Sequence, residues 1–497
     1  MKTVITAAQT READRHTIQT VPIAPIDLME RAAEAFVTVF MQHYPDKNTQ
    51  ILIACGTGNN GGDGLAIARL LQTHNYDAVT VWVARFGSRE SDDFATNLAR
   101  LHHTPIRVTE FFAGDAFPAI HQDVVLDALL GSGLNKPLQD DWLRLVTHLN
   151  QANKPIVAVD IPTGLPADGM LHEAAQTIQA HHVISFQRPK LSFFFPESAQ
   201  AVGRFHVVDI GLDEAFIEGL PSDFRLIELS DIQQMYRPRK PFSHKGTYGH
   251  ALIVAGDTPT MGAALLACEA CLYSGAGRTT ACIPEAGLTA LNTRLPEVMY
   301  ATADELSTKW AQFDAIGIGP GLGQRTTRFA AGAADTDTPL VIDADALTFL
   351  SQHDSWLRKL PKQSILTPHM KEFDRLFGAH ENWWDRVTTA REQAMARQLM
   401  IVLKNQYTFI ATPDGEVLIN PTGNPAMASG GMGDVLTGML TAFLAQGYTP
   451  REAAILGCYV HGAAGDQLAH EAGQAVIPAG KLIQAIPSVL GKLHPIY

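Results

Sequence analysis

The residues of this chain best arranged to do chemistry are Gly430, Gly431, Gly433 and Asp434, in the stretch NPAMASGGMGDVLTG. Glycines there let the backbone take conformations that a Cβ would forbid and bring its N–H groups close to an anion. The helix expected to begin with Val435, Leu436, Met439 and Leu440 aims its partial positive end at the same point. A carboxylate at that junction is not explained by anion binding. Beside a phosphate site, Asp434 suits a base that takes the proton from a hydroxyl about to be phosphorylated. Alone, a GGxGD turn reads equally well as a capped helix behind a loop, so its surroundings must choose.

A second set lies in the first half of the chain. The strand-like run ILIACG (51–56) leads into GTGNNGGDG and then the helical LAIARLLQTH. Strand, glycine loop and helix in that order form a phosphate or nucleotide cradle at the carboxyl edge of a parallel sheet. It lacks the GxGxxG spacing of a dinucleotide-binding loop. Asn59, Asn60 and Asp63 offer oxygens suited to sugar hydroxyls or a hard monovalent cation, although an NNGG cluster can also be only a turn. Asp127 precedes a second glycine loop, Gly131 to Pro137, and Asp160 ends the run IVAVDIPTG, followed by Thr163. Ligands of open α/β sheets bind beyond the carboxyl ends of strands, so these loops can share one crevice.

In the second half, further loops follow strand-like runs: Gly317 to Gly323, DADAL (343–347) and LTPHMKEF (366–373). Asp343 and Asp345 read at least as well as helix N-caps, and His369 can be a packed loop histidine. The glycine run is harder to explain without close backbone approach.

The elements that must carry these residues alternate β-rich runs with helical patterns, which points to parallel α/β layers. A helix is predicted over 26–44, with Leu28, Ala32, Phe36 and Phe40 on one face. Strands are predicted at 51–56, 79–84, 123–130, 156–162, 181–186 and 205–211, then at 251–256, 313–319, 339–344, 364–368 and 400–405. YTFIATPDGEVLIN reads as a hairpin turning at Pro413-Asp414-Gly415. The proline- and glycine-rich basic segment 237–250 reads as an interdomain linker.

At 497 residues the chain exceeds one ordinary core. With 46% hydrophobic and 18% charged residues it is globular in composition. Its formal charge of −13 argues against non-specific nucleic-acid binding. No apolar run approaches the ~20 residues of a membrane span, and the N-terminus becomes charged too early for a signal peptide. Five cysteines do not make a disulfide framework. Cys268 and Cys271 sit in a helical run without a second ligand pair and are read as small buried residues. A cytoplasmic location is expected.

Taken in order, NNGGDG, LDALLGSG and VDIPTG resemble the YjeF N-terminal family, the NAD(P)H-hydrate epimerases, over about residues 1–220. The resemblance implies a Rossmann-like domain. It further implies that Asn59, Asn60, Gly61, Gly62 and Asp63, with Gly131, Ser132, Gly133, Leu134, Asn135, Lys136 and Pro137, line the hydrated nucleotide. By the same match Asn60, Asp127 and Thr163 hold K+, and Asp160 contacts substrate near the reacting centre. Thr163 stands where many relatives carry Ser, and both offer a hydroxyl. Interconverting R and S hydrates needs an acid or base beside the hydrated carbon, and Asp160 is the candidate.

HKGxxGH, GPGLG, DADAL, LTPHxxEF and GGxGDVLTG together resemble the YjeF C-terminal family, the ADP- or ATP-dependent NAD(P)H-hydrate dehydratases, over about residues 228–497. This implies a ribokinase-like fold. Ala263, Gly323, His369 and Asp434 would contact the hydrated nicotinamide nucleotide. Lys404, Asn405, Gln406, Tyr407, Thr408 and Gly433 would bind the adenine nucleotide, and Mg²⁺ would bridge its phosphates. The chain departs from the family at Asn405, where Gly is common, and at Met432, where Thr is common.

The expected whole is therefore an α/β protein of two three-layer domains that repairs NADHX and NADPHX, the hydrates of NADH and NADPH. One domain equilibrates R and S forms; the other dehydrates the S form at the expense of ADP or ATP. A higher homo-oligomer is what the resemblance implies. The alternative is a ribokinase-like vitamin kinase with an N-terminal binding module, which leaves NNGGDG and VDIPTG unexplained.

Overall fold

The computed structural model describes residues 1–493 apart from 88, 135, 170–175, 307–308, 327–328, 330–335 and 472. Within them the chain forms two compact units. One holds residues 3–222 and 382–384; the other holds 1–2, 223–381 and 385–497.

The first unit is built on a seven-stranded sheet in which every pairing is parallel. Its spatial order is Arg107–Phe111, Val79–Ala84, Ile51–Cys55, Val124–Ala128, Ile156–Val159, Ala180–Phe186 and Val202–Val208. The central strands are buried throughout, as expected of a sheet covered on both faces. Helix Pro25–His43 places Leu28, Ala32, Phe36 and Phe40 in the core on one face. Strand order reverses between Ile51–Cys55 and Val124–Ala128, and such a switch point opens a crevice. Strand 107–111 escapes sequence reading because it is an edge strand with little apolar alternation, RVTEF, mostly exposed or half-buried. The last strand lies at Val202–Val208 and not 205–211.

The second unit carries an eleven-stranded sheet among the described residues. Seven parallel strands run in the order Met400–Leu403, Ile365–Leu366, Leu340–Ile342, Ala315–Ile318, His250–Val254, Arg278–Cys282 and Met299–Tyr300. The predicted hairpin forms, Thr408–Ala411 pairing antiparallel with Val417–Asn420, and Gly415 adopts φ +89° in its turn. Helices Met261–Tyr273 and Met432–Ala445 pack on this sheet. Their close approach needs Gly438, where a Cβ would stand 2.1 Å from the Ala267 carbonyl oxygen. Cys268 and Cys271 are buried free thiols, as read.

Segment 237–250 is not a linker. It lies inside the second unit, where the Arg237 amide donates to the Tyr448 hydroxyl and its guanidinium to Glu452. Arg239 donates to the Gly275 carbonyl. Proline and basic residues resemble linker composition, but here the arginines are fasteners. The units change over at 222/223.

Candidate active sites

In the second unit, Asp343 and Lys404 directly follow strands 340–342 and 400–403, and His369 stands three residues beyond strand 365–366. All three face a cavity of about 760 Å³ that also meets the 431–434 turn. Gly431, at the N-cap of helix Met432–Ala445, has φ +93°, and a Cβ there would press on Leu266 at 2.6 Å. No side chain caps this helix, so its first N–H groups remain available to an anion.

Asp434 lies in the first turn of that helix. Burial, with the neighbouring charge of Asp343, pushes its carboxyl up to about 6. The Asp343 carboxylate is not a helix cap. It accepts from Lys404 Nζ at 2.8 Å and Thr437 Oγ1 at 2.9 Å. Burial alone would raise it, but Lys404 and the hydrogen bonds hold it below the usual carboxylate range. Asp345 instead accepts the Gly323 amide at 2.8 Å, so neither aspartate caps its helix with a side chain. The next residue, Ala344, sits at φ +49°, a costly conformation for a residue with a Cβ. Such strain collects at functional sites.

His369 caps helix Met370–Phe377, its Nδ1 accepting the Lys371 and Glu372 amides. Its ring is still half-exposed toward the cavity. Lys404, Asn405, Gln406, Thr408 and Gly433 also line the space. Tyr407, Ala263 and Gly323 are not lining residues. Ala263 instead stands beside Gly321, and Gly323 beside Asp257. Asn405 is not among the left-handed residues, so its backbone does not require the glycine common in relatives. Met432 packs against the core, and its carbonyl pairs with His461 Nε2 at 3.1 Å.

Sequence reading missed one wall. Asn420, which ends the hairpin, and Thr422, Gly423 and Asn424 after it also line the cavity, with His461 and Gly462. Asp466 ties that wall down by accepting the Gly423 amide and the Asn424 carboxamide. A Cβ on Gly462 would strike Thr422 at 2.3 Å. Glycine and asparagine in a loop look like ordinary turn chemistry, and only the hairpin places them at the site.

In the first unit a cavity of about 450 Å³ opens at the carboxyl edge of the sheet. Asn59, Asn60, Asp63, Gly131, Ser132, Gly133, Leu134 and Asp160 line it. Gly61 and Gly62 do not. They lie in helix Asn59–Thr73 and serve packing, since a Cβ on Gly61 would meet the Gly56 carbonyl at 1.8 Å. Lys136 and Pro137 are outside the lining, and Asn135 lies outside the described residues.

Asp127 and Thr163 sit behind the cavity wall, fully buried. The Thr163 hydroxyl and amide each donate to the Asp127 carboxylate at 2.7 Å. Burial nonetheless raises the Asp127 carboxyl to about 6. Asn60 is buried and its amide nitrogen has no partner. Which end of a carboxamide is oxygen is an assignment, and turned over it presents an oxygen. A buried carboxylate with no cation against it, a hydroxyl and an orphaned carboxamide are oxygen donors of the kind a hard monovalent cation takes.

Asp160 takes φ +64° and accepts from the Phe186 amide at 3.0 Å and the Ser185 hydroxyl at 3.2 Å. Lys190, itself buried, stands 2.7 Å from it. Asp14 also enters the cavity from helix Ala7–Thr20. Burial and the charge of Asp160 raise its carboxyl to about 6. Asp63 is pushed well above the usual range by burial, then by Asp160 and Asp14. Lys190 and Asp14 were not foreseen, because neither lies in a glycine motif and only folding brings them to Asp160.

Comparison with known proteins finds a different family in each half of the chain. The family model described as NAD(P)H-hydrate dehydratase matches residues 251–488, and that for the YjeF-related protein N-terminus matches 25–192. A bifunctional NAD(P)H-hydrate repair enzyme from Moorella thermoacetica is 35% identical over 99% of this chain and 97% of its own length. The chain belongs to the bifunctional NAD(P)H-hydrate repair enzyme family. The Escherichia coli relative of the same description is 33% identical over 99% and 96% of the two chains. Among solved structures, the Bacillus subtilis ADP/ATP-dependent NAD(P)H-hydrate dehydratase, co-crystallised with ATP and Mg²⁺, is 33% identical. It covers 54% of this chain and 98% of its own, with a TM-score of 0.49. A Streptococcus mutans protein covers 54% and 99%, with 31% identity and a TM-score of 0.50. The chain is accordingly an NAD(P)H-hydrate repair enzyme with epimerase and dehydratase activities. No helix among the described residues is long and apolar enough to cross a membrane.

Proposed function

We propose that residues 228–497 dehydrate the S hydrate of NADH or NADPH by phosphoryl transfer from ADP, or ATP, to its ring hydroxyl, with Asp434 as the base. One observation carries this reading: a carboxylate raised to about 6 stands on the turn that points free N–H groups into the cavity, with Lys404 nearby. Asp434 takes the hydroxyl proton as the hydroxyl oxygen bonds to the terminal phosphorus and the nucleotide's bridging P–O bond breaks. The 431–433 amides and Lys404 meet the charge on the transferring group. The phosphate ester then leaves as inorganic phosphate. The adjacent ring carbon loses a proton, and the ring double bond re-forms. His369 would orient the nicotinamide side; Asn405, Gln406 and Thr408 would take the adenine nucleotide. Ala263 and Gly323 would act from beyond the lining, Gly323 through the Asp345 carboxylate that holds its amide. Asp343 and Glu372, the other carboxylates on the wall, would hold Mg²⁺ through its waters, which supplies charge neutralisation to the phosphates.

In the same reading residues 1–220 equilibrate the R and S hydrates. Inverting the hydrated carbon requires its C–O bond to break and re-form, with a proton supplied to the leaving oxygen and removed from the returning water. Asp160, held by Lys190, and Asp14 would share those roles. K⁺ would bind Asn60, Asp127 and Thr163 and balance the buried carboxylate. The five free cysteines are all buried, which suits a reducing cytoplasm. A homo-oligomer follows from the family resemblance alone.

The test is incubation of purified R and S hydrates with the full chain, with and without ADP and Mg²⁺, following the returning absorbance of the reduced nicotinamide. The wild type should restore both forms. Asp434→Ala should restore neither yet still interconvert them, and Asp160→Ala should restore only S at the wild-type rate. Dehydration by Asp434→Ala at the wild-type rate would remove that residue from its role.

A further inference from the structure

Away from both cavities, three imidazoles of the first unit meet. His43 stands in the last turn of helix Pro25–His43, His182 on strand Ala180–Phe186 and His206 on the neighbouring strand Val202–Val208. In the parallel register Ile184 faces His206 and His182 faces Arg204. The two strand histidines are thus diagonal neighbours on one face, and the helix end brings the third. One nitrogen from each ring lies within 4.8 Å of the others. His43 Nε2 and His206 Nε2 are 3.1 Å apart, close to the separation of two nitrogens bound to one ion at ~2.1 Å.

We propose that His43, His182 and His206 form a binding site for a borderline divalent transition metal, of the class of Zn²⁺, Ni²⁺ or Cu²⁺. Three imidazoles select such ions over K⁺ and Mg²⁺, which take oxygen ligands. His182 Nδ1 is buried without a hydrogen-bond partner, an unsatisfied group that a bound ligand would engage. Metal binding takes the neutral form of each imidazole. His43 is exposed, which leaves the site open to an arriving ion and to a water in the remaining position.

The groups facing the cluster are known. Arg204, opposite His182, opposes a bound cation, as does His181 more weakly. His181 is itself engaged, its Nδ1 accepting the Ile156 amide at 3.2 Å. Among the described residues no carboxylate figures in the charges acting on His182 or His206, and the proposed ligands are the imidazoles. The role this fits is structural. Val202–Val208 is an edge strand of the sheet, and an ion here would clasp it and its neighbour to the helix end. His182 lies about 13 Å along its strand from the cavity-lining Phe186, four residues at ~3.3 Å each. The clasp is therefore separate from the epimerase chemistry.

The experiment is calorimetric titration of the full chain with Zn²⁺ in buffer already saturated with K⁺ and Mg²⁺, paired with thermal melting. One saturable equivalent and a raised Tm are expected for the wild type. His43→Ala, an exposed position that leaves the fold intact, and His206→Gln should each lose both effects. Arg204→Gln should bind Zn²⁺ more tightly. No saturable binding by the wild type, or binding unchanged in His43→Ala and His206→Gln, would overturn the proposal.

Discussion

At the residue scale, the decisive groups are carboxylates whose surroundings set different tasks. Asp343 is kept ionised by Lys404, while Asp434, on the same cavity wall, is raised to about 6 by burial and by Asp343. Asp127 is raised by burial with no cation against it. Its folded value lies above the ordinary 3.8, so the folded state binds the proton more tightly and stability is lost as pH rises from about 4 through about 6. A bound K⁺ would offset that loss only above this window. Melting in KCl against choline chloride should therefore show a K⁺-dependent gain near pH ~7.5 that shrinks near pH ~5 and vanishes in Asp127→Asn. An equal gain in Asp127→Asn would place the ion elsewhere. Asp127 and Asp160 were legible in the sequence because each stands late in a strand-like run ahead of a glycine or proline loop, His369 because it follows such a run, and Asp434 because it follows the GGxG turn. Asp14, Lys190 and His461 were not, since their partners lie far along the chain.

At the element scale, glycines that look alike in sequence do different work. Gly61 and Gly438 permit packing; Gly431 makes a turn; Gly430 has open space around its missing Cβ. Gly438→Ala should destabilise the second unit by about 1–3 kcal/mol, because its Cβ meets backbone that cannot yield. Gly430→Ala should change stability by less than about 0.5 kcal/mol. Denaturant melts of the two variants compare them directly, and equal losses would refute the assignment of Gly438 to helix contact. Most strands and the 413–415 hairpin were readable from β-rich apolar runs and turn residues, although Arg278–Cys282 was not. The edge strand 107–111 and the true course of 237–250 were not, because exposure and arginine fastening leave no periodic trace.

At the scale of the whole molecule, the fusion has a chemical logic. A dehydratase specific for the S hydrate strands the R form unless something interconverts them, and one chain carries both sites. The two cavities share a device: each lies beyond the carboxyl ends of parallel strands, and each has a residue in left-handed backbone at its mouth, Asp160 or Ala344. Fold class and activity were therefore legible early, whereas cavity walls had to await tertiary structure. The most direct test of the central claim is the pH dependence of S-hydrate dehydration, measured as returning nicotinamide absorbance at saturating ADP and Mg²⁺ for the wild type and Asp434→Asn. The rate should fall on the acid side with an apparent pKa near 6, as protonation removes the base, and Asp434→Asn should lose roughly 10²–10⁴-fold at every pH. A wild-type profile flat down to pH ~4.5, with Asp434→Asn retaining most of its rate, would contradict the account.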